Sequence, residues 1–243
     1  MWGLGVLAAL TCSPTPIPPY TFTMRPLVLA SASPRRRELL ALGGWAFTLR
    51  PVDVAEVPHP DEPPADFVRR MSLAKARMAA QGVDSGALVV GADTVVTLNG
   101  RIIGKPADPA AARRTLQQLR GRTHAVFTGL TVIDTRSGEA RTDLARSRVT
   151  MRDYDDAEIE AYVATSDPLD KAGAYAIQYK GFQPVAVEQF SDCFANVMGL
   201  PLCHLLRRLR ELGVEPATDL PAECQAFIQY QCPVFERILK GAA

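Results

Sequence analysis

The sequence predicts an α/β body built on a mixed, twisted sheet with flanking helices, and three observations predict it. Apolar strand-like runs alternate with segments of helical period between residues 26 and 212, the order expected of helices packed on a sheet. The 243 residues are 47% apolar and 22% charged, enough to bury a core and too apolar for bulk disorder. No run approaches the roughly 20 apolar residues that cross a bilayer.

Residues 1–23 carry no Lys or Arg and turn proline-rich after Cys12. Without a positive n-region they do not read as a signal peptide; they are expected to be a disordered extension or a misplaced start, outside the fold. Strands are expected at Pro26–Ala30, Ala87–Leu98, His124–Asp134, Arg146–Met151 and Val185–Phe190. Helices are expected at Pro34–Leu42, Pro64–Gln81, Pro109–Leu119, Asp156–Val163 and Pro201–Leu212, four of them following a proline that suits a first helical turn. Asn99-Gly100 predicts a two-residue hairpin turn. The domain is therefore expected over 24–215, and 216–243 reads as a tail with one short helix and no legible role.

Charge narrows the function classes. Lys plus Arg number 27 against 26 Asp plus Glu, a net charge of +1, so no overall field favours a nucleic acid polymer or a membrane, and an anion must be held by a local cluster. The five cysteines are odd in number and scattered, which suggests a reducing cytoplasm rather than a disulfide framework.

Three constellations can carry chemistry. In Ser31-Ala32-Ser33-Pro34-Arg35-Arg36-Arg37, Ser33 is placed to cap a helix whose third position holds Arg36 rather than the acid of a capping box. Free N–H groups and guanidinium forks then converge where a helix attracts anions; an exposed basic first turn is the plainer alternative. In Gly91-Ala92-Asp93-Thr94, a carboxylate interrupts an apolar strand and needs a cation or metal. Extrapolating the hairpin pairs residue 94 with 105, so Lys105 is expected across from Thr94 beside Asp93; a purely structural ion pair is the alternative. Third, Asp170–Gln178 is rich in small residues and ends on a glutamine amide able to read a base edge, although ordinary loops contain such residues too.

With no HExxH, no paired CxxC and no P-loop sequence, zinc-protease, zinc-ribbon and P-loop chemistry are excluded. Cys203-His204 reads as helix packing, and Arg207, Arg208 and Arg210 as a solvated face.

In order along the chain, LASASPRRRELL, SLAKA, GADTVV, GKP, LRGRTHAVFTG, DKAGAYAIQ and NVMGLP resemble the motifs of the Maf family of nucleoside triphosphate pyrophosphatases. The resemblance covers about residues 24–212. It implies a Maf/ITPase-like fold with a substrate cleft between two lobes and a cytoplasmic hydrolase of acid anhydrides. That enzyme depends on a divalent cation, Mg or Mn, releases pyrophosphate in nucleotide house-cleaning, and is linked to cell division arrest. It also implies Asp93 as proton acceptor, Arg35, Thr94 and Gln178 as determinants of substrate choice, and Lys75, Lys105 and Glu56 as further site positions. The branch it resembles acts on dTTP and UTP; Tyr179 and Ser191 stand where glycine is common.

The expectation is thus a triphosphate held by Ser33, Arg35, Arg36, Lys75, Thr94, Lys105 and Gln178, with Asp93 as base and Asp93 and Glu56 as metal ligands. Whether Asp93 serves water or metal stays open at this level. A homodimer is possible, and the rivals are a non-catalytic nucleotide-binding regulator of septum formation and a pyrophosphatase for purine or modified nucleotides.

Overall fold

The computed structural model describes residues 25–84, 86–177 and 181–241. In chain order the elements are β1 (Leu27–Leu29), α1 (Pro34–Ala41), β2 (Phe47–Leu49), α2 (Pro64–Ala80), β3 (Leu88–Leu98), β4 (Arg101–Ile103), α3 (Pro109–Leu119), β5 (Thr123–Asp134), β6 (Ala140–Thr150), α4 (Asp156–Ala164), α5 (Phe194–Val197), α6 (Leu202–Arg210), α7 (Leu220–Ile228) and α8 (Phe235–Leu239). The strands form one mixed sheet in the order β2-β1-β3-β5-β6, with β4 paired to β3. β1 runs parallel to β2 and β3, whereas β3, β5 and β6 are successively antiparallel.

Side-chain alternation divides the core between two faces. Leu88, Val90, Ala92 and Val96 of β3 join Leu130 and Val132 of β5 beneath α3, α4 and α6. Val89, Val95 and Ile133 lie on the other face, under α2.

Helix α2 approaches the sheet closely because two facing positions lack a Cβ. A Cβ at Gly91 would lie 2.3 Å from Ser72 O, and one at Gly129 would lie 2.1 Å from Val68 O. Both obstacles are helix backbone, which cannot swing aside as a side chain would. Gly129→Ala is therefore expected to lift α2 at a cost of about 1–3 kcal/mol, read as a Tm lower by about 2–4 °C per kcal/mol. An unchanged Tm would mean that the helix is not seated on these glycines.

Several expectations need correction. Val185–Phe190 is no strand: Val185 makes an isolated bridge with Met151, and Val187–Gln189 is a 3-10 turn. Its apolar character reflects burial of Val185, Ala186 and Phe190 rather than a ladder. β2 was not expected, and β6 starts six residues before Arg146, its polar first half lying along the sheet edge. Segment 216–241 holds two helices rather than one, anchored by buried Leu220 and Ile238 and by a hydrogen bond from Arg207 Nη1 to Ile238 O. Arg207 and Arg208 are not a free solvated face, since both pair with Asp143 of β6.

Cys193, Cys203, Cys224 and Cys232 line a cavity of about 20 Å³ under α7. Burial pushes the thiols of Cys203 and Cys224 up to about 12, so they stay protonated and pack as small apolar groups. Among the described residues no helix is long and apolar enough to cross a membrane. The segment 1–23 lies outside the described residues.

Candidate active site

The sheet itself opens the site. On the side of β3 away from β5, β1 pairs with residues 88–90 and β4 with residues 96–98. The stretch 91–95 between them has no partner on that side in these ladders. Successive residues Asp93 and Thr94 point to opposite faces of the strand, yet the gap lets both line one cleft of about 760 Å³.

Asp93 is only 3% exposed, and its compensating cation comes from α2. Lys75 Nζ donates to Asp93 Oδ1 at 2.6 Å and also to Glu56 Oε1. The close seat of α2 on Gly91 and Gly129 delivers this lysine to the strand. The expected pairing of Lys105 with Thr94 is corrected: the hairpin register is Leu98↔Arg101, as the Asn-Gly turn requires, but the ladder stops at Val96↔Ile103. Thr94 instead faces Thr128 across β5. Lys105 still lines the cleft from the loop after β4, near enough to act on Glu56. Burial works to raise the Glu56 carboxyl, but Lys75, Lys105 and Arg36 together hold it below its ordinary range.

The first turn of α1 forms the opposite wall. Ser33 caps the helix through its Oγ, which accepts from Arg36 N at 3.5 Å. Arg36 is pinned by three donated bonds: Nε to Gly199 O at 2.8 Å, Nη2 to Thr94 Oγ1 at 3.0 Å and Nη1 to Ser31 Oγ at 3.4 Å. Burial pushes its guanidinium below the ordinary value while Asp93 and Glu56 work to raise it; an arginine remains charged in such a setting. Gly199 permits the approach, for its φ is +102° and a Cβ there would lie 3.3 Å from Thr94 Oγ1. Arg35 also lines the cleft but its side chain is not pinned in this way.

All the expected site residues except Gln178 therefore meet in one cleft: Ser33, Arg35, Arg36, Glu56, Lys75, Asp93, Thr94 and Lys105. Gln178 and Tyr179 lie outside the described residues. Sequence reasoning missed Lys171, which also lines the cleft and is 7% exposed. It donates to Asp167 Oδ1 at 2.8 Å and Asp170 Oδ1 at 2.6 Å. The signal was present in Asp167-Pro168-Leu169-Asp170-Lys171, where the two acids of one 3-10 turn precede the lysine that follows it.

Chemically, the cleft can hold several anionic oxygens against fixed and mobile cations while a buried carboxylate takes a proton. A divalent cation fits this donor set in a limited way. Among the described residues no group of three or more His, Cys, Asp or Glu could hold an ion, so the protein offers Asp93 and Glu56, each with one oxygen given to Lys75. Mg²⁺ is commonly held by one or two carboxylates with water and substrate phosphates completing the shell.

Residues 26–212 match the family described as Maf-like protein. The chain is 49% identical over 192 residues to the dTTP/UTP pyrophosphatase of Moorella thermoacetica, covering 79% of this chain and 97% of that protein. It is 46% identical to the protein of the same name from Geobacter sulfurreducens, covering 77% and 96%, and 45% identical to that of Methanosarcina mazei, covering 79% and 96%.

Proposed function

The chain belongs to the Maf-like family, and from that premise we propose that it hydrolyses dTTP and UTP to the monophosphate and pyrophosphate, clearing nucleotides in the cytoplasm. The observation that carries this reading is the meeting of the buried Asp93 with the cations Arg35, Arg36, Lys75 and Lys105 in one cleft.

Phosphoryl chemistry needs positioning and charge neutralisation more than covalent help. Arg36, already oriented by Gly199 and Thr94, offers a preorganised positive edge to the phosphates. Arg35 and Lys105 close on the remaining oxygens, and the N-terminus of α1 at Ser33 adds free N–H donors. Asp93 accepts a proton from water as the water oxygen attacks the α-phosphorus. The bond from that phosphorus to the α,β-bridging oxygen breaks, and pyrophosphate leaves with the electron pair. Lys75 holds Asp93 in place through its hydrogen bond to Oδ1. Asp93 and Glu56 are the residues that would hold Mg or Mn, which would supply charge neutralisation on the phosphate oxygens when bound.

Initial rates of pyrophosphate release are to be measured on dTTP, UTP, dCTP, CTP, dATP and dGTP with saturating Mg or Mn. The expected result is a higher kcat/KM for dTTP and UTP than for the other four, with little preference for the sugar. A purine at the top would refute the base assignment but keep the reaction. No pyrophosphate from any nucleotide would leave a binding protein and overturn the proposal.

A further inference from the structure

Glu56 reaches the cleft from the loop between β2 and α2, residues 50–63, which forms neither helix nor strand. Upstream of Glu56 the loop is seated by apolar contact, Val52 and Val54 packing against the two small core clusters under α2. Downstream that support ends, for Val57 is 66% exposed. The contact with Lys75 is by itself a poor anchor: the Glu56 side chain is 50% exposed, and an ion pair open to water is weak.

A second donor from α2 takes hold of the chain directly after Glu56. Arg70 Nη2 donates to Val57 O at 3.0 Å and to Glu62 Oε2 at 2.5 Å, while Nε donates to Glu62 Oε1 at 2.7 Å. The two-point bond to the carboxylate fixes the guanidinium plane, and the second proton of Nη2 then falls on the Val57 carbonyl. Buried Phe67 steadies that plane, with the guanidinium carbon 5.4 Å from its ring centre. Glu62 Oε2 also accepts from His59 N at 3.0 Å, which closes the turn leading back to α2. The bonds from Arg70, helped by His59 N, hold the Glu62 carboxyl down at about 2, so the fork persists near neutral pH. Among the described residues no helix or strand other than α2 donates a hydrogen bond to residues 55–62.

We propose that Arg70 is a positioning residue for the reaction, aimed by Glu62: the pair staples the loop at Val57 and so keeps the Glu56 carboxylate beside Lys75 and Asp93. The inference rests on the pyrophosphatase reading above and on Glu56 as a working carboxylate within it. One helix then sets both acids of the site, Asp93 through Lys75 and Glu56 through Arg70.

The test is a double-mutant cycle on kcat/KM for dTTP, read beside amide hydrogen exchange. Arg70→Met keeps the stem over Phe67 and removes the fork. A loss of at least about tenfold is expected, the scale for removing a partner that orients an active-site ligand. In a Glu56→Gln background the same substitution should cost less than about twofold, the scatter between independent sites, because the carboxylate it serves is gone. Glu62→Gln keeps the Arg70 charge, so its loss, which should depend on Glu56 in the same way, is not a loss of field in the cleft. In both variants exchange should quicken in residues 55–62 and stay unchanged in β3. If Arg70→Met fails to fold, Glu62→Gln carries both measurements. Equal losses in the two backgrounds, full activity without the fork, unchanged exchange at 55–62, or exchange that rises through β3 as well would overturn the inference while Glu56→Gln is still impaired. An unimpaired Glu56→Gln removes Glu56 from the reaction and this inference with it, leaving the pyrophosphatase reading intact. A wild type that releases no pyrophosphate from dTTP defeats that reading itself.

Discussion

Asp93→Asn lowers kcat by at least about a hundredfold, the loss typical of removing a positioned general base. Asparagine keeps the shape of the side chain, and Lys75 retains Glu56 as a partner, so thermal unfolding is expected to change little. The loss is therefore one of chemistry and shows as unaltered Tm with collapsed turnover. The two duties proposed for the carboxylate separate in the same experiment. If Asp93 works by holding the cation, raising Mg or Mn restores part of the rate; if it takes the proton from water, it does not. A tighter KM for the nucleotide would add that the charge at 93 repels the triphosphate in the ground state. Near-normal turnover would remove Asp93 from the reaction.

The position of Asp93 was legible because a carboxylate inside an apolar strand demands a partner, whatever the fold. The identity of that partner was not. Lys75 reaches it only because α2 sits directly on Gly91 and Gly129, and nothing in the local sequence says which helix crosses which glycine. The hairpin illustrates the opposite limit. Asn99 and Gly100 both adopt positive φ, +52° and +79°, so the turn and its first pairs follow from local chemistry. Extending the ladder to residue 105 failed because β4 ends at Ile103, where Gly104-Lys105-Pro106 leaves the sheet. The helices begun by a proline were found to within two residues at every end, since caps and period are local signals. Val185–Phe190 misled because buried loop residues and strand residues share composition.

Lys75→Met is the substitution expected to cost most in stability. Methionine fills the space of the lysine stem but leaves the buried Asp93 facing Glu56 with no cation between them. Removing one partner of a buried ion pair costs about 3–5 kcal/mol; with the Glu56 side chain 50% exposed, about 3 kcal/mol is expected, a Tm lower by roughly 6–12 °C for a domain of this size. The deficit carries a pH signature. In the wild type, opposing burial, Lys75 leads the cations that hold the Glu56 carboxyl below its ordinary value of 4.5. A carboxyl depressed on folding contributes stability that is present above its unfolded pKa and is lost as pH falls through the lower folded value. Lys75→Met lacks that contribution from the start. The gap in Tm between the two proteins should therefore be full at pH 7 and narrow as pH falls below about 4. A gap that stays constant over that range would mean that Lys75 supports the fold through its stem rather than its charge. Activity should fall with stability, because the same ammonium group keeps Asp93 aimed at the α-phosphorus, and addition of Mg or Mn should not restore it.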